Sequence, residues 1–239
     1  MTARPSLTIA HLYPAEMNIY GDRGNIITLR RRLEWRDIEA RVVEIAPGAP
    51  FDPLDADIVF GGGGQDAGQV VVADDLQARA TEMREAAEAG VVMLVICGTY
   101  QLFGERFVTA DGVDLPGIGI FDLTTRSAPG RLIGNVVVES AFGRLVGFEN
   151  HGGRTWLAGG QQPLGRVTKG NGNNGETGDE GAVSHSTFGT YLHGPVLPKN
   201  PAFADELIRR AMRRRHEVDD LAPLDDTLEL AAAATASTR

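Results

Sequence analysis

The sequence predicts an α/β fold: a central, mostly parallel sheet with helices on both faces, and an added antiparallel β-rich part. Three observations predict it. Strand-like and helix-like segments alternate from Leu7 to Gly104. The run Val91-Val92-Met93-Leu94-Val95-Ile96 is apolar without alternation, as in a strand buried on both faces. After about Asp111, glycine and proline become frequent and short strand-like runs replace helices.

Leu7 to Tyr13 reads as the first strand. A helix follows from about Asp22 to Arg36, with Ile26, Leu29 and Leu33 on one face. Arg41 to Ile45 and Asp57 to Phe60 are the second and third strands, the third ending in Gly61-Gly62-Gly63-Gly64-Gln65-Asp66. Asp74 to Ala89 is expected as a helix, with Gly90 where a C-terminal cap belongs. Val91 to Ile96 is the fourth strand, and a short helix follows Cys97. Further strands are expected at Gly117–Phe121, Leu132–Glu139, Gly147–Asn150, Ala182–Ser186 and Gly189–Leu192. Lys169 to Gly181 is polar and glycine-rich, and is expected as a mobile loop at a hairpin tip or contact surface. Asn200-Pro201 opens a last helix, Asn as N-cap and Pro in the first turn. Asp205 with Arg209 and Glu206 with Arg210 are spaced for ion pairs along it. The expectation is one domain over residues 1–220 and a flexible tail over 221–239.

Composition removes several function classes. The formal charge of −9 argues against nucleic acid as a partner. The single cysteine, Cys97, cannot form an internal disulfide, which suits a reducing compartment. No Cys/His cluster suggests a metal site. The N-terminus lacks the apolar core of a signal peptide, and no run approaches the ~20 apolar residues that span a bilayer.

Cys97 carries the chemistry. A buried strand that ends in Cys and turns at once into a helix is the geometry of a nucleophile elbow, with the helix N-terminus favouring a thiolate. Such a nucleophile needs a base and oxyanion donors. Of the five histidines, His193 alone ends a strand-like run and is followed by Gly and Pro; His151 is the second candidate. His11 lies in the first strand, His185 between two serines, and His216 beside three arginines as a solvated cation. The Gly61–Gly64 run lacks the lysine of a phosphate-binding loop and follows the third strand instead of the first. It is read as a backbone N–H donor that, with Gly98, makes an oxyanion hole.

This combination resembles the class I (triad) glutamine amidotransferases, in the branch that includes cobyric acid and cobyrinate amidation. Within that branch, seven motifs in order are similar to the GatD family of lipid II isoglutaminyl synthase subunits. They are Tyr13-Pro14, Met17 to Asp22, Gly62 to Asp66, Ile96-Cys97-Gly98, Arg131 to Asn135, Gly147 to Thr155 and Tyr191 to Pro195. The likeness runs from about Leu7 to Met212. It implies a flavodoxin-like sheet. It implies that Cys97 attacks the amide of L-glutamine with help from His193, and that Gly63, Gly64 and Gly98 hold the oxyanion. Arg131 and Gln65 would bind the substrate, with Arg126 the competitor of Arg131. The resemblance also implies a heterodimer with a MurT-like Mur ligase subunit. That partner would use ATP and Mg to amidate the D-glutamate of lipid II, so this chain needs no cofactor. The expected place is the cytoplasm, near the inner membrane surface. Amidation of another acceptor, such as a corrinoid precursor, and DJ-1-like redox sensing or chaperone activity are the other readings.

The sequence departs from the class I pattern. Pro195 stands two residues after His193, where many class I enzymes carry Glu, so the third triad member is either an acid elsewhere in the chain or one supplied by the partner. Thr99 and Val95 replace the elbow glycines. The loop Gly147–Arg154, residues 170–181 and the Arg-rich end of the last helix are the candidate partner surfaces.

Overall fold

A computed structural model describes residues 4–238. Twelve strands and six α-helices form two sheets. The first contains β1 (Ser6–Leu12), β2 (Glu39–Ile45), β3 (Ile58–Gly61), β4 (Val92–Ile96), β11 (Ala182–Ser184) and β12 (Thr187–Thr190), in the order β11-β12-β4-β3-β1-β2. Every neighbouring pair is parallel except β11 with β12. β3 and β4 are buried throughout, which is why their sequences are apolar without alternation.

The helices follow from the connections. α1 (Arg23–Glu34) joins β1 to β2, while α2 (Asp66–Ala78) and α3 (Ala80–Glu88) join β3 to β4. These crossovers advance in opposite directions along the sheet, so right-handedness places them on opposite faces. α4 (Gly98–Leu102) follows Cys97, and α5 (Pro201–His216) packs on β1, β3 and β4 beside α1. The buried core runs between the layers, through Leu7, Ile9, Phe60, Leu94, Phe203 and Leu207.

The second sheet has the order β10-β9-β7-β5-β6, and β8 pairs with β7. Its strands are β5 (Arg106–Val108), β6 (Asp114–Pro116), β7 (Leu123–Ser140), β8 (Gly143–Leu157), β9 (Gly165–Lys169) and β10 (Asp179–Glu180). All pairs are antiparallel except β5 with β7. The expected strands at 132–139 and 147–150 are thus the middles of one long hairpin, while Gly117–Phe121 is irregular chain.

Four expectations change. The helix expected at 74–89 is two helices, the first beginning directly after the glycine turn; Val70-Val71-Val72 hides its helical period. The loop at 169–181 is packed: Asn173 and Asn174 are buried. Both Asn171 N–H groups and Gly172 N–H donate to the buried Glu149 carboxylate, and the Asn173 amide bridges both backbone groups of Gly181. Side-chain amides that satisfy backbone groups hold such a turn without apolar residues. Asp205 pairs with Arg32 and Arg36, not Arg209; Arg209 and Arg210 both take Glu206. The end of the chain forms a helix, α6 (Thr227–Thr238), where irregular tail was expected. Its leading Asp226 accepts from the buried Arg32 at 2.6 Å, and Arg36 donates to Ala222 O at 2.7 Å.

Candidate active site

Four loops converge at the carboxyl ends of β1, β3, β4 and β12, where open α/β sheets bind ligands. Cys97 stands at the end of β4 with φ +49° and ψ −103°, a conformation that non-glycine residues avoid. The neighbours over-determine it. Cys97 N–H donates to Thr190 O at 2.8 Å, and Thr99 Oγ1 donates to Gly62 O at 2.7 Å. The threonine that departs from the usual elbow thus ties the helix after Cys97 to the glycine turn after β3.

His193 lies beyond β12, locked in place by two backbone hydrogen bonds with Phe148. Its buried imidazole lies within electrostatic reach of Cys97 and is hydrogen-bonded through Nδ1 to Asp22 Oδ1 at 3.2 Å. Nδ1 donates to the carboxylate. Burial opposes the imidazolium, but the Cys97 thiolate and the Asp22 carboxylate outweigh it and push the pKa up to about 10. A Cys–His–Asp line is therefore complete within this chain. Asp22 lies in the Met17–Asp22 motif just before α1, and sequence reading gave it no role. Strand and helix periodicity carries no signal for a side chain that meets its partner 171 residues away.

The glycine turn corrects one call. Gly63 N–H donates to Asp22 Oδ2 at 2.7 Å, so it does not point to an oxyanion. Gly64 and Gly98 remain: a Cβ built on Gly98 would lie 2.9 Å from Gly64 N, so the two backbones approach closely beside Cys97. None of Gly61 to Gly64 has positive φ. They are glycines for lack of space, a Cβ on Gly63 falling 2.7 Å from His193 Cε1 and one on Gly64 2.3 Å from Met17 Sδ.

Cys97 opens into a cleft of about 430 Å³, within the size range of small-molecule sites. Gln65, Gln69, Gln101, Arg131 and His151 are among its walls, which places Arg131 and Gln65 in the cleft that Cys97 opens into. Arg131 arrives by an irregularity in β7. Ser127 pairs with Gly153 and Leu132 with His151, so residues 128–131 face Gly152 alone and swing over the cleft. Arg131 donates to the Asn150 side chain at 2.6 Å and to its backbone carbonyl at 2.5 Å. Arg126 is exposed on regular β7 and is not among the cleft's walls. His151 is fixed in the wall, with its ring stacked on Tyr191 at 3.7 Å and Nδ1 bonded to Gly153 O. Gln101, one turn after Cys97, was missed by sequence reading; it donates to Tyr191 OH and accepts from Gln69. His185 sits in a turn, and His216 bonds to Ser6 O instead of standing free in solvent. Among the described residues no group of three or more His, Cys, Asp or Glu could hold a metal ion, and no helix is long and apolar enough to cross a membrane.

The fold and the Cys–His–Asp line define a class I glutamine amidotransferase. Solved structures agree on the fold. A glutamine amidotransferase matches with a TM-score of 0.58 at 14% identity, over 84% of this chain and 98% of its own. The acivicin-bound glutaminase domain of Trypanosoma brucei CTPS matches at 0.57 and 11%, over 91% and 96%. Residues 8–201 match the CobB/CobQ-like glutamine amidotransferase domain. Subunit GatD of the glutamine-hydrolysing lipid II isoglutaminyl synthase of Staphylococcus aureus is 44% identical, over 95% of this chain and 93% of its own. The Streptococcus pneumoniae GatD is 39% identical, over 89% and 83%. Cobyric acid synthase of Klebsiella pneumoniae is 32% identical over 62% of this chain, which spans 31% of that protein. The chain belongs to the CobB/CobQ-like glutamine amidotransferases, in the family of the GatD subunits.

Proposed function

We propose that this chain is the glutaminase subunit of a two-subunit lipid II isoglutaminyl synthase. The observation that carries the reading is the Cys97–His193–Asp22 line, whose cysteine opens into the cleft while the other two are buried behind it. The Cys97 thiolate attacks the carboxamide carbon of L-glutamine, and the oxyanion lies between the N–H groups of Gly64 and Gly98. His193 gives its proton to the departing nitrogen, the C–N bond breaks, and ammonia leaves a γ-glutamyl thioester. His193 then takes a proton from water, whose oxygen attacks the thioester; the C–S bond breaks, glutamate leaves, and the Cys97 thiolate with its imidazolium is restored. Arg131 pairs with the α-carboxylate, for which a guanidinium offers two parallel donors.

The ammonia passes to a MurT-like Mur ligase subunit. That partner uses ATP and Mg to activate the D-glutamate carboxyl of the lipid II stem peptide, giving D-isoglutamine at the cytoplasmic side of the membrane. This chain contributes no cofactor. Because Asp22 already faces His193, the isolated chain should release glutamate without its partner. The test combines three measurements on the purified protein: glutamate release, labelling by diazo-oxo-norleucine, and transfer of the glutamine amide ¹⁵N to lipid II once the ligase subunit is added. Cys97→Ala should abolish all three. Oxidation of Cys97 to sulfinic acid without glutamate release would sink the reading.

A further inference from the structure

On the face of the sheet covered by α1 lies a second cavity of about 210 Å³. His11 and Glu44 are register neighbours on β1 and β2 and both line it. α1 supplies Arg23, Ile26, Ile27 and Arg30, residues one helical face apart, and Val42 completes the wall. The polar groups here are not used by the fold. His11 is 2% exposed, and its Nε2 has no hydrogen-bond partner. Arg23, Arg30 and Glu44 stand exposed at its mouth, and neither the Arg23 guanidinium nor the Glu44 carboxylate is ion-paired with a described residue. Arg30 is shared only with the exposed Glu34, at 3.3 Å. A buried polar atom without a partner is costly, and native structures seldom retain one without a reason.

We propose that this cavity binds an acidic amino acid of the size of L-glutamate. The charges match the ligand: Arg23 and Arg30 face Glu44 across the opening, a net excess of one positive charge. That is the complement of one ammonium and two carboxylates. The guanidinium groups take the carboxylates, Glu44 takes the α-ammonium, and His11 Nε2 meets the most deeply inserted polar atom. Burial keeps the His11 imidazole neutral, so it adds a hydrogen-bonding group without another charge. The site is separate from the catalytic cleft but adjoins its machinery, since Arg23 directly follows Asp22, the partner of His193. The proposal rests on the glutaminase reading only in the choice of L-glutamate, the product, as ligand.

The test is calorimetric titration of L-glutamate into full-length protein whose Cys97 has been alkylated by diazo-oxo-norleucine, which fills the catalytic cleft. One saturable site is expected, weakened at least about tenfold by Glu44→Gln and by Arg23→Ala. Both variants, taken unalkylated, should hydrolyse glutamine as the parent does, which controls for folding. Glutarate, which lacks the ammonium, should not be weakened by Glu44→Gln, since that substitution removes only a like charge. No saturable binding up to ~50 mM, or binding indifferent to both substitutions, overturns the proposal. If diazo-oxo-norleucine does not label Cys97, the glutaminase reading fails by itself. The same titration on Cys97→Ala/Arg131→Ala then decides the second site.

Discussion

Asp22 gives one oxygen to His193 and the other to Gly63 N–H, so a single carboxylate positions both the imidazole and the turn beside the nucleophile. Its loss should therefore read out in the pH profile as well as in the rate. With the His193 pKa pushed up to about 10, the contribution of the imidazolium to stability is full below pH 6.5 and is lost progressively as pH rises from there through about 10. Asp22→Asn removes an anion that favours the imidazolium. The alkaline limb of glutaminase activity should move to lower pH, and kcat should fall by roughly 10²-fold or more. An unmoved alkaline limb, measured between pH 6 and pH 10.5, would show that Asp22 has only a structural role. Cys97 and His193 were legible in the sequence because the first directly follows an apolar strand and the second comes three residues after another strand. Asp22 was not, because its meaning lies wholly in a contact made after folding.

The turn between β3 and α2, read from the sequence as a backbone donor, is ordinary in conformation and crowded on every side, so its four glycines answer to a lack of space. Gly63→Ala would drive a methyl group to 2.7 Å from His193. The imidazole must move, so the expected result is a fold that melts within a few degrees of the parent and a glutaminase activity reduced more than about tenfold. Equal activity would show that His193 has room to yield. The alternating elements up to Gly104 were legible from period and caps, except α2, whose period Val70-Val71-Val72 hides. The length of β7 and β8 was not, because Ala128-Pro129-Gly130 reads as a strand break, whereas the chain bulges there and resumes pairing at Leu132. The segment 169–181 misled through composition, since Gly and Asn mark mobile loops and equally mark turns closed by amide side chains.

Across the whole molecule, Arg32 joins three segments. At 2% exposure it holds Asp205 of α5 and Asp226 ahead of α6 with a single guanidinium. Arg32→Ala leaves Asp226 unpaired and Asp205 with Arg36 alone, and should cost about 3 kcal/mol of unfolding free energy, measured by chemical denaturation. A loss under ~1 kcal/mol would mean that the C-terminal segment is held by other contacts. Glu180 gives a second global readout. Burial outweighs its hydrogen bonds from Thr190 and Tyr191 and raises its pKa from 4.5 to about 7. The native state then holds a proton that the unfolded chain has released, so this contribution to stability falls as pH rises from 4.5 to about 7. Glu180→Gln should remove that fall: relative to the parent, the variant should be more stable at pH 8 than at pH 5. A difference independent of pH would place the proton elsewhere.

The excursion in β7 has a consequence for how such proteins diversify. The strand leaves its partner for four residues, opposite the lone Gly152, and returns to pairing on the far side. Its length is therefore uncoupled from the sheet. Residues can be gained or lost between Ser127 and Leu132 without shifting a single cross-strand pair on either flank. The cleft-lining Arg131 rides on a segment that is free to vary, while Cys97 stays fixed to the end of β4 and His193 to the backbone of Phe148.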